Sequence, residues 1–565
     1  MFEAQTCIGK NEYGTLASRL SSHPDMPMRF PPALLLLVPA AYLVAALIPE
    51  RRLVRSPERR WALALAIASS VLVLALIAGA ALTIDGARVG SLAPGNVPGG
   101  FAPSVRLDRL TVVMLVLISG IATVVLRFSR RYLDGESGRP RYVRWFLATM
   151  AAVSLLTVTG DLLVLALAWT ATGLTLHQLL AYYGDRAPAL IAAHKKFLVS
   201  RAADVAIFAA VTLIWRAEGT QRIDTLLERA AVMREIPLSL QTAGVLLAIG
   251  VALRSAQLPF HGWLIQVMEA PTPVSAFLHA GIVNIGGFVL IRLAALVGRL
   301  EGAQLLLVIV GTTTAVLAAL VMTTRVSVKV SLAWSTCAQM GFMLLECGLG
   351  AYGLALLHLV AHSLYKAHAF LSSGRAVEHQ LTRRMTPPAT PTTGLQWAIG
   401  AASAALVVVS FGSALGLIAR GDAGTRAAAL ILTFALAPLF VRGAAEGAGA
   451  LIRGVGAAVV LIATYSAGHA LFTAVAPTVR GSPVLEAVRL AVVASAFVAL
   501  YATQSIVTVR PTGRLARALY PACFAGFYLD ELCTRLTFRI WPPRGLPVRA
   551  RVTSAAIPGL RELHA

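Results

Sequence analysis

Long runs of apolar residues, separated by short polar segments, repeat along almost the whole chain. A helix that crosses the hydrocarbon core of a bilayer needs about 17–25 predominantly apolar residues. The pattern therefore predicts an all-α polytopic membrane protein with about fifteen transmembrane helices. We place these helices near residues 33–48, 61–82, 110–126, 143–159, 162–182, 197–214, 242–256, 274–296, 305–323, 330–349, 352–371, 395–418, 426–441, 455–473 and 488–507.

Basic residues are concentrated in alternate segments between these runs. The basic segments are 51–60, 127–144, 186–196, 325–329, 375–384 and 442–453. The intervening segments, such as 83–109 and 216–235, are neutral or balanced in charge. Short loops rich in Lys and Arg stay on the cytoplasmic side of the membrane. We therefore expect the N-terminus outside and the C-terminus in the cytoplasm.

Three regions follow from this pattern: a polar N-terminal extension (1–32), a transmembrane region (33–507) and a C-terminal tail (508–565). The extension lacks the compact basic start of a signal peptide, and translation starting at Met26 or Met28 would remove most of it. The tail contains an amphipathic stretch, LARALYPACFAGFYLDELCTRLTFRIW. Such a stretch either lies on the membrane surface or docks on a partner.

The composition agrees with a membrane protein and disfavours other classes. Of the 565 residues, 57% are hydrophobic and only 13% are charged, whereas soluble domains carry about 25% charged residues. The net charge of +23 comes mainly from the loops, so it indicates membrane topology rather than nucleic-acid binding. The five cysteines form no CxxC pair and no spacing suited to zinc. We expect no metal, cofactor or disulfide in this chain, and no nucleophile–base arrangement marks it as an enzyme.

The segment from Arg254 to Arg292 combines polar residues with helix breakers inside an otherwise apolar region. Its polar members are Arg254, Gln257, His261, Glu269, His279 and Asn284, and its prolines are Pro259, Pro271 and Pro273. Ionisable groups at bilayer depth usually face a protein or water-filled interior, and broken backbone is tolerated there only when it is buried or lines a cavity. We therefore expect a proline-broken helix that lines an ion pathway. A helix should restart at the Pro-Thr-Pro sequence, about two turns before His279, and Glu269 is a candidate partner for Arg254.

Three titratable residues, His358, His362 and Lys366, are spaced four apart. This spacing places them on one face of a helix, each about one turn from the next. An imidazole titrates near neutral pH, and a desolvated Lys can be brought towards it. The file is typical of a proton relay, although packing against neighbouring helices or a position at the helix end remains the alternative.

Two further groups are candidates for the same pathway. Lys329 begins a helix that carries Glu346 near its far end, and either residue could instead lie at a membrane interface. Arg201 and Asp204 are three residues apart and form a pair that is either functional or purely structural. His177 fits a hydrogen bond at a helix end better than proton transfer. The predicted pathway comprises His261, Glu269, His279, Lys329, His358, His362, Lys366, Arg201, Asp204 and Arg254.

The motifs that carry these residues resemble the proton-translocating antiporter-like subunits, including subunit L of NADH-quinone oxidoreductase and the large subunits of multisubunit sodium/proton antiporters. A basic residue before SAQ-x-P and then PTPVSA-x-x-HA is matched by 254–280, and K-x-x-LA-x-S-x-x-x-Q-x-G by 329–341. The pattern H-x-x-x-H-x-x-x-K is matched by 358–366. The resemblance covers about residues 105–380. It implies an all-α fold with broken helices and inverted repeats.

Two departures from the family pattern and the residues found in three motif segments favour one branch of that family. Thr170 follows Trp169 where a Glu is usual, and Arg254 replaces a Lys. The sequences at 168–183, 259–288 and 339–374 are similar to those of the membrane subunits (DabB) of DAB inorganic carbon pumps. This resemblance implies a bacterial inner-membrane subunit that conducts protons or another cation. It also implies a DabA-type zinc partner, similar to β-type carbonic anhydrases, that converts CO2 to bicarbonate. A complex I or antiporter subunit and a non-conducting membrane anchor are the alternatives.

Overall fold

The computed structural model describes residues 31–49, 57–86, 88–91, 104–375, 391–415, 422–476, 478–479 and 482–541. Apart from residues 31 and 32, the predicted N-terminal extension lies outside the described residues, as do the two alternative start positions. The basic segments at 51–56 and 376–384 and the last part of the predicted tail, 542–565, also lie outside them.

Helices account for most of the described chain, and their bounds define the labels used below. The first part contains α1 (Leu37–Leu47), α2 (Pro57–Asp85), α3 (Arg109–Tyr132), α4 (Arg139–Val158), α5 (Leu162–Leu180), α6 (Ala187–Glu218) and α7 (Ile223–Val232). The central part contains α8 (Leu238–Arg254), α9 (Gly262–Gln266), α10 (Thr272–Ala280), α11 (Ile285–Arg292), α12 (Ala294–Val297), α13 (Glu301–Met322), α14 (Val328–Gly348) and α15 (Tyr352–Leu371). The last part contains α16 (Gly394–Ala414), α17 (Ala423–Glu446), α18 (Ala448–Thr473), α19 (Pro483–Val509), α20 (Arg514–Phe524) and α21 (Leu529–Ile540). Two short strands, β1 (Arg88–Ser91) and β2 (Ser104–Leu107), pair in an antiparallel ladder between α2 and α3.

The predicted helical architecture is confirmed, but the predicted number of spans is not. Each predicted span coincides with one or more of the described helices. Among the described residues, ten helices are long and apolar enough to cross a membrane. The short β1–β2 hairpin was not predicted, because its strands lie in a segment that the sequence marks only as a loop. The chain is a polytopic membrane protein.

Helix α6 differs from its prediction at its N-terminal end. The sequence predicts a cytoplasmic loop at 186–196, whereas the helix already begins at Ala187. Lys195 and Lys196 are buried inside the molecule rather than exposed in a loop. Both ammonium groups have partners there, since Lys196 donates to the carbonyl of Gly173 at 2.7 Å and Lys195 forms an ion pair with Asp530. Buried charges are tolerated when they are paired and hydrogen-bonded in this way. The number of basic residues in this segment therefore predicts an exposed loop where the protein has a buried helix.

The close pair α13–α14 forms one wall of the central bundle. A Cβ atom on Gly311 would lie 2.5 Å from the carbonyl oxygen of Gly341, and a Cβ atom on Gly341 would lie 2.6 Å from that of Gly311. Small residues of this kind allow transmembrane helix backbones to approach closely. This approach fixes the position of α14, which carries the predicted pathway residue Lys329 and, near its far end, Glu346.

A buried ion pair anchors the far end of the broken segment. Arg292, at the end of α11, contacts Asp108 at 2.5 Å and Thr111 at 2.7 Å, and Asp108 caps the start of α3. Burial by itself would raise the pKa of Asp108. The charges of Arg292 and Arg106 and the N–H of Thr111 outweigh that effect and hold its pKa well below the usual range. The carboxylate therefore stays ionised and ties α11 to α3.

Candidate ion pathway

The helix between Arg254 and Arg292 is interrupted at both groups of prolines, as the sequence predicts, and once more after Ala280. Helix α8 ends at Arg254, and irregular backbone follows until α9 begins at Gly262. Helix α10 then restarts at Thr272 and ends at Ala280, and a short 3-10 turn leads to α11. All nine residues of α10 are buried. The predicted restart at the Pro-Thr-Pro sequence is confirmed, and it places His279 inside the bundle.

The three residues spaced four apart lie on the inward face of α15. His362 and Lys366 are almost completely buried, whereas Leu364 and Tyr365, on the other side of the helix, are more than half exposed. The Lys366 ammonium donates to the carbonyl of Leu332 on α14 at 2.9 Å. The file therefore lies inside the protein, against α14, and does not face lipid.

Glu346 adds a carboxylate to the series formed by His358, His362 and Lys366. Its Oε2 atom lies 2.9 Å from Nδ1 of His358, and its side chain is buried. The rings of His358 and His362 are centred 6.0 Å apart. Glu346 also interacts electrostatically with the buried phenol of Tyr465 on α18. The sequence predicts Glu346 near the end of its helix, and the only signal in the sequence for the contact is its spacing of twelve residues from His358.

His279, on the broken segment, interacts with this series of titratable residues on α15. Its ring stacks on Phe370 with centroids 4.4 Å apart, and it interacts electrostatically with Lys366 and His362. Neither ring nitrogen of His279, nor either of His362, has a hydrogen-bond partner within the described part of the protein. Buried polar atoms are almost always hydrogen-bonded to protein or to water. None of these four nitrogens is therefore committed to a hydrogen bond with a described residue.

A second charged cluster joins α5, α6 and α8. Asp204 forms ion pairs with Arg254 and, at 2.8 Å, with Arg201. The hydroxyl of Thr170 also donates to Asp204, at 3.1 Å. The predicted Arg201–Asp204 pair is thus present. The candidate pair between Glu269 and Arg254 does not occur among the described residues, since Arg254 pairs with Asp204 instead.

Gly173 has no side chain, and this leaves space for several cationic side chains around the carboxylate of Asp204. A Cβ atom at this position would lie 3.1 Å from Arg254, 3.4 Å from Arg201 and 3.5 Å from Lys196. Without a side chain, α5 leaves room for all three groups. Lys196 was not among the predicted pathway residues, because its neighbourhood was interpreted as a loop.

The remaining predicted residues lie around the break between α8 and α10. His261 is buried, with Nδ1 3.2 Å from the carbonyl oxygen of Pro259, and its ring packs on Trp334. Lys329 donates to the hydroxyl of Thr272, at the start of α10, at 2.8 Å. Glu269 is exposed and lies apart from the buried groups.

His177 occupies the last turn of α5, and its Nδ1 lies 3.2 Å from the carbonyl oxygen of Ala193. That contact agrees with its interpretation as a hydrogen-bonding group at a helix end.

Taken together, the buried groups form a continuous series of titratable side chains. The chain Glu346–His358–His362–Lys366 with His279 places titratable groups one after another inside the bundle. Among the described residues, no group of three or more His, Cys, Asp and Glu side chains is placed to hold a metal ion. The arrangement is suited to proton transfer between neighbouring side chains and water.

Family models match two parts of the sequence. Residues 159–435 match the model described as NADH:quinone oxidoreductase/Mrp antiporter, TM. Residues 100–143 match the model for the N-terminus of chain 5 of NADH-ubiquinone oxidoreductase (complex I). The first match contains every residue of the predicted pathway.

A solved structure shares the architecture. A chain in the structure of the Mrp complex from Dietzia sp. DQ12-45-1b superimposes with a TM-score of 0.58 at 25% sequence identity. The superposition covers 90% of this chain and 61% of the Mrp chain.

Two bacterial relatives match over nearly their whole length. The "Probable inorganic carbon transporter subunit DabB" of Hydrogenovibrio crunogenus is 38% identical over 536 residues, which is 93% of this chain and 97% of the relative. The "Probable inorganic carbon transporter subunit DabB2" of Halothiobacillus neapolitanus is 35% identical over 90% of this chain and 94% of the relative. Since both matches span the transmembrane bundle and its charged interior, the chain belongs to the DabB family, the membrane subunits of inorganic carbon transporters.

Proposed function

We propose that this chain conducts protons, or another cation, and that this flow drives a partner subunit of an inorganic carbon pump. The observation that carries the proposal is the buried series from Glu346 through His358 and His362 to Lys366, which lies inside the bundle and away from lipid. Ionisable groups are costly inside a membrane, so they are retained where they serve an ion path. A subunit that served only as an anchor would have no need of such a series.

Each group has a role in this account. His358, His362 and Lys366 form the relay on α15, and His279 connects it to the broken segment. His261 receives ions at the break between α8 and α9, and Lys329 gates the path through its contact with the start of α10. The Arg254–Asp204–Arg201 cluster sets the electrostatic potential beside the path.

The partner in this proposal is a DabA-type zinc protein similar to β-type carbonic anhydrases. It would hydrate CO2 to bicarbonate, while this chain supplies the ion flow and carries no zinc or other cofactor itself. The names of the relatives and the likeness to a chain of the Mrp complex support a multisubunit assembly. We place the assembly in the bacterial inner membrane, with the N-terminus of this chain outside and its tail in the cytoplasm.

A subunit of a sodium/proton antiporter or of a complex I-like enzyme is the second candidate. The likeness to the Mrp chain and the match of residues 159–435 favour it. Thr170 argues against it, since the usual Glu of those subunits is absent and Asp204, on the neighbouring helix, supplies the carboxylate instead.

Affinity purification of the tagged chain from detergent-solubilised native membranes separates these candidates. We expect a large partner to copurify and to carry about one zinc ion per complex, the usual content of a catalytic zinc site. Membranes from a strain with the untagged chain are the control for non-specific binding. Copurification with quinone-reductase or antiporter subunits, in preparations free of zinc, would contradict the carbon-pump proposal.

A further inference from the structure

The C-terminal tail docks on the transmembrane bundle of its own chain. Arg325, in the short segment between α13 and α14, donates to the carbonyl oxygens of Cys523 and Phe524, and Gly526 packs against Trp334. At the end of the amphipathic stretch, Trp541 stacks on His194 of α6 with ring centroids 3.9 Å apart. The amphipathic stretch predicted from the sequence thus finds partners within this chain.

One carboxylate of the tail enters the bundle. Asp530, on α21, accepts hydrogen bonds from Nζ of Lys195 at 2.9 and 2.8 Å and from Nε2 of Gln266 at 3.0 Å. The Lys195 side chain is 2% exposed, whereas that of Asp530 is 31% exposed. The carboxylate therefore lies partly at the surface of the described molecule while it pairs with a buried ammonium group.

The backbone at the start of α9 is shaped to admit this carboxylate. A Cβ atom on Gly262 would lie 1.4 Å from Oδ1 of Asp530, so any side chain at this position would displace it. The thiol of Cys533, one turn further along α21, lies 3.7 Å from the carbonyl oxygen of Pro259. Helix α21 thus covers the break between α8 and α9.

His261 lies inside this break, within the electrostatic influence of both charged side chains. It interacts electrostatically with Asp530 and with Lys195. Without the carboxylate, the buried ammonium of Lys195 would present an unpaired positive charge beside His261, and such a charge repels an approaching cation. With the carboxylate in place, the local charge is balanced.

We propose that Asp530 is a positioning residue for ion entry, which neutralises Lys195 and so allows a cation to reach His261 from the water at the tail. The proposal rests on the proposed function of the chain as an ion conductor. It assigns the tail a part in transport, beyond that of a membrane-surface helix.

Voltage-driven proton uptake tests this proposal, measured with a pH-sensitive dye inside liposomes that contain the purified complex of this chain and its partner. We expect Asp530→Asn to lower the uptake by at least about tenfold, because it leaves a buried ammonium without its counter-charge. Asp530→Glu and the double variant Lys195→Met with Asp530→Asn should recover most of the uptake, because the local charge is again balanced. Glu531→Gln is the matched control, since Glu531 lies on the same helix, is exposed and pairs only with Arg535 among the described residues.

Each outcome decides the proposal. If the wild-type complex takes up neither protons nor, with a sodium-sensitive dye in the same liposomes, sodium ions, the proposed function fails and this inference falls with it. If the wild type conducts and Asp530→Asn conducts equally well, the inference alone is wrong. If the double variant is as impaired as Asp530→Asn, the pair only anchors the tail, and a role in ion entry is overturned.

Discussion

Asp204 is the residue on which the second charged cluster depends. Two arginines and the hydroxyl of Thr170 converge on its carboxylate, and the Lys196 ammonium lies beside the same position of α5. Removing one partner of a buried ion pair leaves an uncompensated charge, which costs about 3–5 kcal/mol. The carboxylate is therefore more important for stability than a carboxylate in an exposed pair.

Replacing Asp204 with Asn should lower the free energy of unfolding by about 3–5 kcal/mol, because the cations nearby lose their only charged partner in the described structure. Thermal unfolding of the detergent-solubilised protein measures the change. Asp224→Asn is the matched control, because Asp224 pairs with Arg222 on a more exposed surface, where such pairs contribute about 0–1 kcal/mol.

Thr170→Glu in the Asp204→Asn background should restore much of the lost stability. The Thr170 hydroxyl lies 3.1 Å from the carboxylate of Asp204, so a Glu at this position returns the negative charge to the same cluster. Equal melting temperatures for wild type and Asp204→Asn would show that the cations find other partners, and the account of this cluster would be wrong.

At the scale of elements, the contact between α13 and α14 determines where the pathway residues of α14 lie. The backbones approach so closely at Gly311 and Gly341 that a methyl group on either would contact backbone atoms of the other helix. Backbone atoms cannot move aside as a flexible side chain can, so the helices themselves would have to separate.

Gly311→Ala should therefore destabilise the protein by about 1–3 kcal/mol, the usual cost of overpacking. Gly120→Ala is the matched control, since Gly120 also lies inside a helix but has no atom within 4 Å of an added Cβ. There the substitution should stabilise by up to about 1 kcal/mol, because Ala loses less conformational freedom in a helix. Chemical or thermal unfolding in detergent compares the two variants, and equal destabilisation by both would contradict the close contact.

How far the sequence predicts these elements depends on the kind of signal. The apolar runs and the prolines of 254–292 predict the helices and the break correctly, because hydrophobicity and the missing N–H of proline act locally. The face of α15 follows from the spacing of His358, His362 and Lys366 for the same reason. The partners are not local: Glu346 meets His358 through the α14–α15 packing, and Asp530 meets Lys195 across 335 residues of sequence. Lys196 was misplaced because its charge was interpreted as exposure, whereas tertiary hydrogen bonds support it inside the protein.

At the scale of the whole molecule, the broken segment and α15 lie at the centre, with the charged cluster and the tail around them. Helix α10 is buried on all sides and packs against α15. The helices that follow, such as α18 and α19, are mostly exposed in their apolar windows. Such surfaces are suited to contact with lipid or with other membrane subunits. The molecule therefore combines a buried series of titratable groups with exposed apolar helix surfaces.

The central claim is that ion flow through this interior drives inorganic carbon uptake. The most direct measurement is the accumulation of radiolabelled inorganic carbon in cells that lack carbonic anhydrase and express the complex, with and without a protonophore. The account predicts accumulation by the wild type that collapses with the protonophore and is lost in Lys366→Ala and His279→Ala, while His368→Gln, on the exposed side of α15, accumulates normally. Accumulation that persists with the protonophore and in both alanine variants, all present in the membrane at wild-type levels, would contradict it.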